Sequence, residues 1–296
     1  MKKFVRFVRY SPALVKAVIV VLIVVLIASP LAIPLYRFEY AATDGKSVIW
    51  TPILLFLVFI AVLPSWMRWI HQCFTPWRVV GMQAKRIWLK GWLVSFIIGA
   101  LGVLILYGLQ MALGWGVWVS PVASNLLPNC VEGLLVGMGV GLVEELIFRG
   151  WLLFEIEKDF STEAALVINA GIFAIAHYIR PLSVILATWP QFVGLFLLGM
   201  ALVWARRIPT KHNQQFSPVT TLGPAAGLHG GLVFAYYQFD VNDLVVSTHR
   251  VPAWLTGIDD NPLAGLLGLA LLTAIAYAAY VASHPVTGPK NLQKRP

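Results

Sequence analysis

The chain has 296 residues, of which 59% are hydrophobic and only 12% charged, and it carries a net charge of +9. Soluble domains carry about 25% charged residues, so this composition excludes an ordinary soluble protein and points to an all-α integral membrane protein. The basic excess is not read as a nucleic-acid signal, because no RNA- or DNA-binding motif accompanies it.

A spanning helix needs roughly 20 mostly apolar residues. Taken in chain order, eight segments are candidates: 14–33, 52–70, 91–113, 131–154, 162–177, 190–205, 222–239 and 262–283. The fifth and sixth are short. The first follows the basic stretch Lys2, Lys3, Arg6 and Arg9. It is longer than the apolar core of a signal peptide and lacks a small-residue cleavage site, so it reads as an uncleaved helix. Pro52, Pro190 and Pro262 suit first-turn positions, where a missing N–H costs nothing. Asp260 and Asn261 stand where the last helix needs a cap.

Basic residues set the orientation. Lys2, Lys3, Arg6, Arg9 and Lys16 precede or open the first segment, and Arg68, Arg78, Lys85, Arg86 and Lys90 follow the second. Arg149, Lys158, Arg206, Arg207, Lys211, Lys290, Lys294 and Arg295 fall on the same side, against only Arg37, Lys46, Arg180 and Arg250 on the other. This 18 to 4 split predicts eight spans with both termini cytoplasmic. Cys73 and Cys130 then lie on opposite sides, and no disulfide is expected. Trp66, Trp69, Trp77, Trp88 and Trp92 cluster with the second basic group, at headgroup level. A topology anchor is the reading there, with a specific lipid site as the alternative. The outer stretch 240–261 is either a lid over a cavity or a tether. The chain divides into helices one to three (1–130), a core of helices four to seven (131–239), and an outer loop, last helix and basic tail (240–296).

The fourth segment holds Glu144, Glu145 and Arg149 inside an apolar run. One such charge at a helix centre costs about 2.5–3.5 kcal/mol on insertion scales, so charges kept there pair, line a cavity or do chemistry. Glu145 and Arg149 are i and i+4 and can pair. Glu144 points about 100° away. The short turn 157–161 makes the fourth and fifth helices an antiparallel hairpin. If it centres between Phe160 and Ser161, Glu144 and His177 lie at one height. A carboxylate opposite an imidazole can hold a water and take its proton. His229, between the small residues of the seventh segment, is placed to donate to a developing oxyanion. Gly230 and Gly231 would leave room for a substrate backbone. Gly133, Gly137 and Gly141 form a small-residue stripe for close helix contact. Glu, His and His is also a zinc-type donor set, but no His-Glu-x-x-His sequence is present. No metal or cofactor is expected.

Glu144-Glu145-x-x-x-Arg149, Phe173-x-x-x-His177 and His229 occur in this order across residues 133–239. Together they resemble the motifs of the CAAX protease and bacteriocin-processing family, the type II CAAX prenyl endopeptidase relatives, in its prokaryotic branch. The resemblance implies an intramembrane glutamate-type endopeptidase in which Glu144 and His177 activate water and His229 helps bind the oxyanion. Glu145, Arg149 and Phe173 would support them. It implies membrane lipids and a peptide or membrane-anchored protein tail as partners, with no nucleic acid. The implied location is a bacterial plasma membrane, or a thylakoid in a photosynthetic bacterium. Val233 stands where the eukaryotic enzymes carry Asn and supplies no donor. Two other readings stand beside this one. One is a non-hydrolytic scaffold or chaperone on the same bundle, and the other is a transporter using midplane carboxylates.

Overall fold

The structure is a computed structural model that describes residues 2–45, 47–83, 86–120, 123–179, 181–211, 219–258 and 261–285. Lys46, Lys85, Arg180, Asp259, Asp260 and the tail cations Lys290, Lys294 and Arg295 lie outside these residues. The protein is an all-α membrane protein.

An amphipathic helix, α1 (Lys2–Tyr10), precedes α2 (Ala13–Ala42), α3 (Trp50–His71), the single turn α4 (Pro76–Val79) and α5 (Arg86–Ala112). A short strand β1 (Gly116–Trp118) leads to α6 (Ala123–Glu145), which passes into a π-helical turn, Leu146–Leu152, and ends as α7 (Leu153–Ile156). Then come α8 (Thr162–Ala176), α9 (Leu182–Thr188), α10 (Pro190–Arg207), the strands β2 (Pro209–Lys211) and β3 (Val219–Thr220), and α11 (Gly223–Val241). Strand β4 (Val245–Ser247), the turn α12 (Ala253–Thr256), a 3₁₀ turn Pro262–Ala264 and α13 (Leu266–Ser283) complete the fold.

Eight of these helices have 15 residues or more, and each overlaps one of the expected segments, although α2 runs on to Ala42 and α6 starts already at Ala123. Among the described residues, five candidate spans are long and apolar enough to cross a membrane, and a sixth counts if α9 and α10, bent by 77°, form one span. Helix α8, at 15 residues, is about 22 Å long, short of a 30 Å hydrocarbon core. The last helix is not capped by Asn261. The chain makes a 3₁₀ turn first, with the Ala264 N–H on the Asn261 carbonyl, and Gly265 precedes α13.

Periodicity explains the outer helices. In α2 the buried residues include Lys16, Val20, Val24, Ala28 and Ala32, four apart on one face. Val18, Leu22 and Leu26 are exposed and apolar, as lipid-facing positions are. Glu39 near the end of α2 accepts the Ile49, Trp50 and Thr51 N–H groups at 2.8, 2.6 and 3.0 Å. It thereby satisfies donors that the start of α3 would leave bare.

Helix α11 is the axis of the core, buried continuously from Gly223 to Leu232 between α5 and α6. Its glycines permit this. A Cβ on Gly227 or Gly231 would collide with the Trp92 or Phe96 carbonyl of α5, and one on Gly137 would lie 2.6 Å from the Gly230 carbonyl. The α6 stripe is therefore helix-packing surface. Gly230 and Gly231 do not hold space for a substrate, because the backbones of α6 and α5 occupy it. At the other end, β1 pairs antiparallel with β4. The stretch after α11 lines a cavity of about 470 Å³ with Tyr107 and Gln110.

Candidate functional site

The hairpin brings two motifs together. Residues 157–161 form its turn, and Ser161 caps α8 by accepting the Ala164 N–H at 3.2 Å. This registers α8 against the preceding helix so that His177 Nε2 lies 3.4 Å from Glu144 Oε2. The two side chains keep 30% and 27% of their exposure, so each is partly open. The His177 Nδ1 lies 2.8 Å from the Phe173 carbonyl. An Nδ1–H donated there leaves Nε2 toward Glu144. Glu144 Oε2 is buried and has no hydrogen-bond partner among the described residues.

Behind this pair lies a sealed polar base. Glu145 and Arg149 are fully buried and paired at 2.8 Å. The same carboxylate oxygen, Oε1, also lies 2.9 Å from His229 Nδ1. Glu145 is therefore more than the counter-ion of Arg149, because it also orients His229. A second guanidinium nitrogen donates to the Gly199 carbonyl on α10 at 3.1 Å. The guanidinium carbon sits 4.2 Å from the centre of the Phe173 ring, a cation–π contact. Phe173 in turn lies 4.4 Å from the His177 ring and 5.9 Å from the His229 ring. The structure thus collects Glu144, Glu145, Arg149, Phe173, His177 and His229 in one cluster. Among the described residues, no three His, Cys, Asp or Glu side chains converge as a metal site.

Three features of the site carry no clear signature in the sequence. The first is the π-helical turn Leu146–Leu152, which begins directly after Glu145 and contains Arg149. Such turns recur at functional sites because they re-aim side chains within a helix. The second is Asn169, fully buried on α8. Its side-chain nitrogen donates to the Phe148 carbonyl of that turn at 2.8 Å. Asn169, Phe173 and His177 are spaced by four, and a polar residue on the motif face of an apolar helix was the available signal. The third is Glu155, fully buried, whose Oε1 accepts the Trp66 and Trp151 indole N–H groups at 2.6 and 3.2 Å and lies 2.8 Å from His71 Nε2. It ties α7 to α3 just below the site.

This arrangement is a half-open carboxylate–imidazole pair on a buried polar base. Val233, one turn past His229, presents no donor.

Residues 125–235 match the model of the family described as type II CAAX prenyl endopeptidase Rce1-like. No curated protein and no solved structure matches the chain. The matched segment holds all six clustered residues. The chain is thus a multi-pass membrane protein whose residues 125–235 are similar to a domain of a protease family.

Proposed function

We propose that the Rce1-like domain hydrolyses a peptide bond in a membrane-associated peptide or protein tail, using water activated by Glu144 and His177. The observation that carries this reading is the difference in exposure between the two acids. Glu145 is sealed with Arg149 and His229, whereas Glu144 meets His177 at 3.4 Å with about a quarter of its side chain open.

A water beside the pair donates one hydrogen bond to Glu144 and one to His177 Nε2, and its lone pair faces the scissile carbonyl. Glu144 takes the proton as the oxygen adds to the carbonyl carbon. The carbonyl electron pair moves to oxygen, and the oxyanion is met by His229 Nε2. With its Nδ1–H held by Glu145, His229 donates at both nitrogens in its imidazolium form. Glu144 then returns the proton to the amide nitrogen, the C–N bond breaks, and the new carboxyl group passes its proton to the departing amine, so that a carboxylate and an ammonium leave. Val233 removes one donor that the oxyanion could have used, a loss worth about 10²–10³ in rate where measured. The reading therefore favours slow turnover.

The test uses purified protein in lipid with membrane-anchored peptides. Glu144→Gln and His177→Ala should both abolish cleavage while the protein stays monodisperse and folded. Full activity in either variant would overturn the assignment.

A further inference from the structure

Helix α1, Lys2–Tyr10, packs against α3 and buries Val8 completely. This places Arg6 and Arg9 beside Arg68, near the end of α3. The three guanidinium groups line one cavity of about 820 Å³, together with Trp69, Gln72 and Phe74. Among the described residues, no carboxylate lines it. Arg9 Nη2 donates to the Trp69 carbonyl at 2.7 Å, which fixes that side chain, while its Nε is buried with no hydrogen-bond partner among the described residues. Arg68 lies over the Phe74 ring at 5.4 Å. Three like charges converging without an acid leave a strongly positive pocket. Planar guanidinium groups match phosphate oxygens in bidentate pairs.

A second cavity, about 440 Å³, adjoins the first and shares Val5 and Trp69 with it. Its wall is almost wholly apolar, formed by Phe4, Ile23, Ile27, Val58 and Val62 among others, and it runs between α1, α2 and α3. A basic chamber opening into an apolar groove on a membrane helix pair has the two-part chemistry of one molecule.

We infer that this is a binding site for an anionic phospholipid, its phosphate held by Arg6, Arg9 and Arg68 and an acyl chain lying in the groove. Inside a bilayer an acyl chain gains no hydrophobic transfer energy by entering a protein groove. The arginines therefore supply the selectivity, and the groove sets where the lipid sits. The site uses none of the residues assigned to hydrolysis.

Native mass spectrometry of the full chain in detergent tests this with dioleoylphosphatidylglycerol, dioleoylphosphatidylcholine and inorganic phosphate as probes. The wild type should bind the glycerol lipid more tightly than the choline lipid. Each basic side chain near an anionic headgroup is worth about 5-fold in binding. Arg6→Gln with Arg68→Gln should therefore cost about 25-fold and cut the preference to what Arg9 alone supplies. Both residues are exposed, so the fold should survive. Ala61→Trp, at an exposed position of the groove wall, should weaken both lipids together. Arg78→Gln with Arg86→Gln, exposed positions outside the cavity, should leave the preference intact. Equal loss from the two arginine pairs, no preference in the wild type, or displacement of lipid by millimolar phosphate would each overturn the site.

Discussion

Replacing Arg149 by Met probes the buried base of the site. Arg149 and Glu145 have no side-chain exposure, and Arg149 also holds the Gly199 carbonyl and covers the Phe173 ring. Met keeps much of the apolar volume but leaves the Glu145 carboxylate without its cation. Breaking a buried pair from one side costs about 3–5 kcal/mol, because the remaining charge is buried and uncompensated. Glu145→Gln on the Arg149→Met background removes that charge and keeps a group able to accept from His229. The double variant should therefore be more stable than Arg149→Met alone, a coupling of about 1–3 kcal/mol in a double-mutant cycle. Reversible unfolding of the purified protein in detergent–SDS mixtures measures both. A cost below about 1 kcal/mol for Arg149→Met, or a double variant that simply adds the two losses, would refute the view that these charges persist by mutual neutralisation.

Other perturbations address parts of the frame. Asn169→Leu should leave the Phe148 carbonyl without its side-chain donor, cost about 1–3 kcal/mol, and raise amide hydrogen exchange selectively in 146–152. Unchanged protection there would show that the π-helical turn holds without it. Glu155→Gln should weaken the tie between α7 and α3 by a similar amount, seen as a lower unfolding midpoint and changed Trp fluorescence from Trp66 and Trp151. Gly231→Ala should cost about 1–3 kcal/mol or more, since its Cβ meets the Phe96 carbonyl backbone. Gly139→Ala, with nothing within 4 Å of its Cβ, should be neutral or stabilising by up to about 1 kcal/mol.

Much of this arrangement is readable from residue spacing. Helix positions follow from apolar run length, and the Glu144–His177 contact is anticipated by a short turn with equal numbers of residues on both sides. The Glu145–Arg149 pair needs only i and i+4. The features that escape this reasoning depend on how helices rotate against one another. His229 faces Glu145 because α11 is wedged by glycines against α5 on one side and α6 on the other, and spacing alone does not say which partner meets which glycine. The same rotation fills the space beside Gly230 and Gly231. The π-helical turn is a change in backbone hydrogen-bonding step, invisible to a side-chain period of 3.6. Asn169 stood on the right face of α8, but an isolated amide in an apolar helix points to no particular partner. The basic cluster near Arg68 read as an orientation signal because the fold of α1 back onto α3 is a tertiary event.

The central claim is that Glu144 activates water for peptide hydrolysis, and it is tested most directly in membranes that hold the natural substrates. Peptide ends across the membrane proteome are compared between cells carrying the wild type and cells carrying Glu144→Gln at equal abundance. A defined set of new C-termini should be present with the wild type and absent with the variant. Identical sets of ends, with the function of the protein retained in the variant, would contradict the account and leave a non-hydrolytic role for the bundle.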